Sequence, residues 1–201
     1  PLVINGQASD ELLDTYYSER YAHAHDLVDW AVAIGMLMEH LAEVERCQRD
    51  GLPVPEEKAR LKSSGYGQGR EQPPVREGAI VLEQLSDKGS TGYLFAQPIV
   101  QTRSGEQSRL DDLLGPGIVL VTRAAKLPEL ADDVQVVIDS LGIRVISIAG
   151  LLAVKGRFDR LFDQHETAIV RPDGIVFGHT TEDLSLDDLV RQLAEKLHLS
   201  V

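Results

Sequence analysis

Apolar residues between positions 9 and 47 recur every three or four positions, which is the spacing of one face of an α-helix. They are Leu12, Leu13, Tyr16, Tyr17, Ala24, Leu27, Val28, Ala31, Ile34, Met38 and Leu41. Ser9 or Asp10 can cap the start of this helix, and Gly35 is a candidate break within it. Because an apolar stripe of this length needs a covering partner, the pattern predicts a helical arm over residues 1–50 that packs on another domain.

Residues 51–90 lose this periodicity and are rich in Gly, Pro and Ser, as in "SSGYGQGREQPPVREG", which predicts a linker with loops. Gly65, Gly67 and Gly69 hint at a phosphate-binding turn. A dinucleotide fingerprint, however, needs GxGxxG directly after a strand and at the start of a helix, and here Arg70 takes the last glycine position. We therefore expect a loop here and no nucleotide site.

From residue 91 onward, short Val/Ile-rich runs alternate with helical patterns. The predicted elements are strands at 93–100, 117–123 and 143–150, helices at 127–142, 156–165 and 185–199, and a hairpin with strands at 168–171 and 175–177. Two nearly continuous apolar strands joined by a helix indicate a parallel crossover, and the hairpin adds antiparallel strands. The predicted fold class is α/β, with residues 91–201 forming a thioredoxin-like domain whose central mixed sheet is flanked by helices.

Charge and composition argue against several classes of function. With 20 basic and 32 acidic residues the formal charge is -12, so a nucleic acid backbone would be repelled. No apolar stretch approaches the ~20 residues that a membrane helix needs. The one cysteine, Cys47, has no partner for a disulfide or a CxxC pair, which favours a reducing, cytoplasmic location and a packing role for this thiol. The chain begins at Pro1 without a signal-peptide pattern, and we expect it to be cut from a longer protein.

Candidate catalytic residues are scattered. His23 and His25 are two positions apart and so point to different sides of a helix, which argues against a metal site with nearby Asp26 and Asp29.

Adjacent aspartates occur at 111–112 and at 187–188. Because neighbouring residues on a helix point about 100° apart, the two members of each pair fit the N-terminal turn of a helix better than a shared role in acid–base chemistry. No GxSxG elbow occurs. The sequence predicts no catalytic, cofactor-binding or metal-binding residue.

The redox site of a thioredoxin-like enzyme is also missing. The reactive cysteine would open the helix after the first parallel strand, but residues 121–126 read "VTRAAK". No proline precedes the strand at 167–171 to face such a site. In "AIVRPDGIVFG", Pro172, Asp173 and Gly174 predict a tight turn, and Arg171 beside it is expected to pair with a carboxylate across the domain or with a partner surface.

Three stretches together resemble a known family. "ASDELLDTYYSERYAHAHDLVDWAVAIG" resembles the helix that follows the flavin-binding part of class A FAD-dependent aromatic hydroxylases. "RLDDLLGPGIVLV" and "AIVRPDGIVFG" are similar to two stretches of the thioredoxin-like C-terminal domain of those enzymes, in the branch of 3-(3-hydroxyphenyl)propionate, phenol and polyketide hydroxylases. The resemblance implies a structural role, anchoring the helix to an absent flavin domain, for the matched residues Leu12, Leu13, Asp14, Thr15, Tyr16, Glu19 and Arg20. Tyr21 and Ala22 depart from the family pattern and leave the subfamily open.

The resemblance implies a parent flavoprotein monooxygenase that uses FAD, NAD(P)H and O₂ to hydroxylate a phenolic ring, chemistry that belongs to the cofactor. The family's flavin-binding motifs have no matching positions here, so the 201 residues are expected to bind no cofactor, to be inactive alone, and to serve stability or dimerisation. The expected partners are the parent's own N-terminal FAD-binding domain and a second copy of the chain. A stand-alone thioredoxin-like binding module remains the alternative hypothesis. A peroxidase or disulfide reductase is the weakest hypothesis, because its chemistry would depend on Cys47 alone.

Overall fold

The structure is a computed structural model that describes residues 2–54, 72–86 and 89–199. The chain divides into two compact units, one of Pro1–Arg20 with Pro74–Val201 and one of Tyr21–Pro73. The glycine-rich stretch with Gly65, Gly67 and Gly69 lies outside the described residues. The predicted domain boundaries near residues 50 and 90 stay predictions, although residues 74–86 contribute Val75, Ile80 and Val81 to the core of the larger unit.

The predicted N-terminal helix is confirmed as α1, Glu11–Arg49. It carries acidic Glu11 and Asp14 in its first turn, which suits the positive end of the helix dipole. It continues through Gly35 without a break in the hydrogen-bonded helix. It ends where Gly51 adopts a φ of +68° and the Leu52 N–H bonds to the Cys47 carbonyl at 2.8 Å, the left-handed ending that favours glycine.

The central sheet of the larger unit has four strands. They are β3 (Val119–Thr122), β4 (Arg144–Ser147), β6 (Thr167–Val170) and β7 (Val176–His179), in the spatial order β4-β3-β6-β7. Strand β3 pairs with β4 in parallel, and the β3–β6 and β6–β7 pairs are antiparallel. This mixed sheet, with its parallel crossover and antiparallel hairpin, confirms the α/β class; the narrower thioredoxin-like assignment stays a prediction.

A second, three-stranded sheet differs from the prediction. Its order is β2-β1-β5, with β1 at Ile99–Gln101, β2 at Gln107–Arg109 and β5 at Leu152–Lys155. The strand predicted at 93–100 becomes regular only at its end, because Pro98 lacks the N–H that a strand ladder needs. Strand β5 was hidden in one apolar run with β4, from which Gly150 at a φ of +88° separates it.

The remaining helices are short. They are α2 (Leu110–Leu114), α3 (Asp132–Leu141) and α4 (Leu186–Lys196), and 3₁₀ turns occupy Leu82–Gln84 and Arg160–Asp163. The helix predicted at 127–142 starts five residues late, after Pro128, and ends at the predicted Gly142, which is left-handed. The helix predicted at 156–165 is only the second 3₁₀ turn.

The core lies on both faces of the central sheet, since side chains alternate along a strand. On one face, Leu120, Ile169 and Phe177 pack against α3 and α4. On the other, Val121 and Val170 belong to a cluster that also holds a T-shaped pair of phenylalanines, Phe95 and Phe162, with ring centres 6.0 Å apart.

Candidate functional site: an ion-pair junction between helix α1 and the β6–β7 turn

The turn between β6 and β7 is built as the sequence predicts. The Arg171 N–H donates to the Ile175 carbonyl and the Gly174 N–H donates to the Arg171 carbonyl, each at 2.9 Å. Gly174 has a φ of +80°, which a side chain would strain, and Pro172 fixes φ one residue after Arg171. The turn therefore holds the Arg171 backbone in one place at the end of β6.

The Arg171 side chain uses all five of its N–H donors. Nη1 and Nη2 each donate to one oxygen of Glu19, both at 2.9 Å, which is a bidentate pair. Nε and Nη2 donate to the two oxygens of Asp173 at 3.2 Å and 2.7 Å, and Nη1 also donates to the Ala79 carbonyl at 3.1 Å. The guanidinium thus connects helix α1, the segment at 78–79 and its own turn.

Glu19 is held equally closely. Its Oε1 accepts the Ala79 N–H at 2.7 Å in addition to the bond from Arg171. The preceding residue, Gly78, has a φ of +81°, and a Cβ there would overlap the Glu19 side chain. Glycine at this position therefore serves both the backbone conformation and the close approach of the carboxylate.

Both partners of the pair are largely buried, with 15% and 12% of the Arg171 and Glu19 side chains exposed. Burial lowers the pKa of Arg171, but the hydrogen bonds and charges of Glu19 and then Asp173 outweigh it, so the pKa lies above its ordinary value. A guanidinium does not release its proton in a protein, and every donor here is occupied. The junction can therefore fix geometry, and its guanidinium supplies no group for acid–base or nucleophilic chemistry.

This outcome settles the role of Arg171 left open by the sequence: it pairs with a carboxylate across the unit. The predicted role of Glu19 in anchoring the helix to an absent flavin domain stays a prediction. Within this chain, the Glu19 carboxylate binds Arg171. Leu13 and Tyr16 of the same motif are mostly exposed, at 60% and 69%. Nothing in the local spacing of Glu19 could have identified a partner so distant in the sequence.

The paired aspartates lie where the sequence predicts. Asp111 and Asp112 are in the first turn of α2, and Asp187 and Asp188 are in the first turn of α4. In α4 the Ser185 hydroxyl accepts the Asp188 N–H at 3.2 Å and donates to its carboxylate at 2.7 Å, which caps the helix.

The corner after β3, where a redox cysteine would stand, is filled by hydroxyl groups. Thr122 Oγ1 accepts the Ala124 N–H at 3.1 Å and the Thr167 hydroxyl at 3.0 Å. Both threonines are buried. The corner is thus closed by its own hydrogen bonds.

The histidines are placed in two ways. His25 pairs with Asp29 at 3.3 Å on the exposed surface of α1, and His23 Nε2 lies 3.1 Å from the Pro73 carbonyl. His165 and His179, which no sequence motif links, stack on each other. Within the described ranges, no group of three or more His, Cys, Asp or Glu is arranged to hold a metal ion.

The start of α3 is poorly suited to a flavin diphosphate. The parallel crossover β3-α3-β4 is the place where such a group would meet a helix N-terminus. There, the first turn of α3 carries Asp132 and Asp133, which would repel a diphosphate. The connection from β3 to α3 contains no glycine that would let the backbone approach a phosphate.

Among the helices that the structure describes, none has the length and apolar character to cross a membrane.

The profile of the family described as the HcaD C-terminal domain matches residues 92–196. The chain belongs to this family. The match covers most of the larger unit, including the β6–β7 turn and Arg171. The predicted resemblance to the C-terminal region of FAD-dependent aromatic hydroxylases is confirmed.

Curated relatives extend the likeness to the whole chain. A 3-(3-hydroxy-phenyl)propionate/3-hydroxycinnamic acid hydroxylase of Klebsiella pneumoniae (strain 342) is 29% identical over 224 residues, which cover 99% of this chain and 40% of the relative. A protein of the same name from Mycolicibacterium vanbaalenii is 34% identical over 137 residues, covering 65% of this chain and 24% of the relative. The chain thus spans well under half the length of these relatives.

Among solved structures, aklavinone-11 hydroxylase in a ternary complex with FAD and aklavinone has a similar fold. It is 23% identical, with a TM-score of 0.57, over 98% of this chain and 37% of the hydroxylase chain. This likeness includes the N-terminal helix as well as the family-matched region.

Proposed function

We propose that this chain is the C-terminal accessory portion of a flavoprotein monooxygenase that hydroxylates a phenolic compound such as 3-(3-hydroxyphenyl)propionate with FAD, NAD(P)H and O₂. In this proposal the catalytic site lies in the remainder of the parent enzyme, and the 201 residues alone are inactive. Their role is to hold the C-terminal domain in place and to support dimerisation.

The observation that carries the proposal is the match along nearly the whole chain to hydroxylases of one stated activity, of which it spans 40%. The misfit between a diphosphate and the acidic start of α3 supports placing the flavin elsewhere. The Glu19–Arg171 junction supports a structural role, because it fastens the beginning of α1 to the C-terminal domain.

The exposed face of α1 supports a covering partner. Its exposed large apolar and aromatic side chains are Leu13, Tyr16, Tyr17, Tyr21, Val28, Val32, Met36 and Met38. Patches of this kind seldom stay in contact with water. In the parent enzyme, we propose, the flavin domain covers this face; in the chain alone, a second copy would do so.

The flavin assignment is tested by the visible spectrum of the purified chain after incubation with FAD and gel filtration. We expect no flavin absorbance to elute with the protein. A co-eluting flavin band would place a cofactor site on these residues and overturn the proposal.

The activity assignment is tested by comparing the chain with a longer protein that includes the upstream sequence. Only the longer protein should oxidise NADH or NADPH in response to 3-(3-hydroxyphenyl)propionate. Oxidation by the 201 residues alone would contradict the proposed inactivity, and failure of the longer protein with every phenol tried would contradict the parent activity.

The oligomer is tested by light scattering coupled to gel filtration over a wide range of protein concentration. We expect the mass to rise from that of one chain to that of two. Replacing Val28 and Val32, both mostly exposed on α1, by Glu should keep the chain monomeric. A monomer at all concentrations in the unmodified chain would contradict the dimerisation role.

A further inference from the structure

Two histidines that the proposed function does not use lie against each other. The rings of His165 and His179 stack with centroids 4.0 Å apart and planes 26° apart. His179 is the last residue of β7 and is only 8% exposed. His165 follows the 3₁₀ turn Arg160–Asp163, and its N–H bonds to the Leu161 carbonyl at 2.8 Å.

The same strand is covered at its outer edge by residues 81–86 and 89–93, here called the edge segment. The Val81 N–H donates to the Phe177 carbonyl at 2.8 Å, and the Gly92 N–H donates to the Val176 carbonyl at 2.9 Å. In return, the Val176 N–H donates to the Tyr93 carbonyl at 2.9 Å. The edge segment therefore satisfies the backbone groups of β7 that an open sheet edge would expose.

At the histidine end of β7, a side chain takes over this task. Gln84 Nε2 donates to the His179 carbonyl at 2.7 Å, and Gln84 Oε1 accepts the His179 N–H at 2.9 Å. The buried Thr91 hydroxyl also donates to Gln84 Oε1, at 3.2 Å. Gln84 thus ties the edge segment to the backbone of His179.

The edge segment is also fastened to the turn that carries His165. The Ser90 hydroxyl bonds to Asp159 Oδ1. The same oxygen accepts the Leu161 N–H at 3.1 Å and so caps the 3₁₀ turn. The edge segment is therefore attached at two places. Gln84 binds strand β7, which carries His179, and Ser90 binds the turn that precedes His165.

A pocket of about 540 Å³ opens beside the stack, with Gln84, Ser86, Ser90, His165 and His179 among its lining residues. The charged groups that line it from the described residues are Arg160 and Asp163, and Asp159 interacts with His179 electrostatically. The pocket gives water a route to the rings, so His179 can exchange protons with solvent.

Protonation is unfavourable while the stack is closed. Burial lowers the pKa of His179 below its ordinary 6.5, and the neighbouring His165 lowers it further, against weaker opposing effects of the Thr180 carbonyl and Asp159. Two stacked imidazolium ions would repel each other. Because the closed form binds fewer protons than an open form, closure is favoured above pH 6.5 and is lost as the pH falls below it.

We propose that the His165–His179 stack is an acid-sensitive latch, which keeps the edge segment on strand β7 at neutral pH and releases it on mild acidification. The released state exposes the edge of β7 and the pocket beside it. The device belongs to the fold and is independent of where the parent enzyme carries its flavin.

Hydrogen–deuterium exchange of the 201-residue chain tests the latch, at about pH 7.5 and about pH 5.5 with correction for intrinsic exchange rates. The amides of Val81, Gly92 and His179 should lose protection by about threefold to tenfold at the lower pH, since one histidine contributes at most about tenfold per pH unit. The amides of Val137 and Ile138, which are buried and lie past the first turn of α3, should not change.

The H179F variant keeps an aromatic ring in the stack but cannot take up a proton, so its edge segment should be equally protected at both pH values. Equal protection in the unmodified chain, or the same loss in H179F, would overturn the proposal. Should H179F fail to fold, an NMR titration of the unmodified chain decides. A His179 ring that titrates at or above 6.5 contradicts the latch, and one that titrates below 6.5 together with the exchange change supports it.

Discussion

Glu19 and Arg171 are 152 positions apart in the sequence and meet through two parallel hydrogen bonds of 2.9 Å, with little of either side chain exposed. The E19Q variant keeps the shape of the side chain but leaves the buried guanidinium facing an amide. Removing one partner of a buried pair is costly, so we expect the free energy of unfolding to fall by about 2–4 kcal/mol. Urea denaturation monitored by circular dichroism measures this loss.

The matched control for E19Q is D133N. Arg191 also holds Asp133 through two hydrogen bonds, of 2.8 Å and 3.2 Å, but 46% and 61% of these side chains are exposed. Solvent screens such a pair, and we expect D133N to cost much less than E19Q. If the two variants lose equal free energy of unfolding, burial does not increase the contribution of the Glu19–Arg171 pair to stability.

A variant at Gly78 tests the contact between Glu19 and the segment at 78–79. In G78A the new Cβ would overlap Glu19, and the residue would have to keep a φ of +81°. A left-handed φ costs about 1–2 kcal/mol in a residue other than glycine, and crowding adds about 1–3 kcal/mol. We expect thermal denaturation to show a marked fall in Tm for G78A.

The control for this variant is G35A, because Gly35 lies within α1 and a Cβ there meets nothing within 4 Å. Alanine favours helix more than glycine does, so G35A should be stabilised by about 0.5–1 kcal/mol. A G78A variant as stable as the unmodified chain would mean that the backbone at 78 can move away from Glu19 at little cost.

Local signals in the sequence were sufficient for much of the fold. The helical spacing that starts at Leu12 predicted α1, the run at 117–123 predicted β3, and the turn at Pro172–Gly174 predicted the hairpin. Each of these depends on residues that are neighbours in the chain.

Features that depend on distant residues were not predictable in the same way. Arg171 was recognised as a pairing residue, but its partner Glu19 lies on a helix far away in sequence, and nothing local marks it. The stack of His165 and His179 has the same cause, since only the pairing of β6 with β7 and the preceding turn bring the rings together. Strand β5 was missed because its apolar residues merge with those of β4 in the sequence.

Gln84 is expected to be more important than an ordinary polar residue near the surface. In Q84A both the N–H and the carbonyl of His179 lose their partner at the edge of β7. Leaving such groups without a hydrogen bond costs about 1–3 kcal/mol, which urea denaturation should detect. Q135A is the control, because Gln135 is exposed and its side chain bonds to exposed Asp139 one turn along α3, at 2.8 Å. If the two variants lose stability equally, the edge of β7 does not depend on Gln84.

Arg191 makes the attachment of α4 to α3 depend on pH. Its side chain bonds to Asp133 on α3 and to Asp188 on α4. Hydrogen bonds from Arg191 lower the pKa of Asp133, and those from Ser185 and then Arg191 lower the pKa of Asp188. With both values lower in the folded state than in the unfolded chain, this stabilisation is present above the ordinary Asp pKa of about 3.9 and is lost as the pH falls below it. The R191Q variant should therefore lose less stability than the unmodified chain between about pH 5 and pH 3 in urea denaturation, and added salt should narrow the difference between them. Parallel pH curves for the two proteins would show that this surface network does not contribute to the acid sensitivity of the fold.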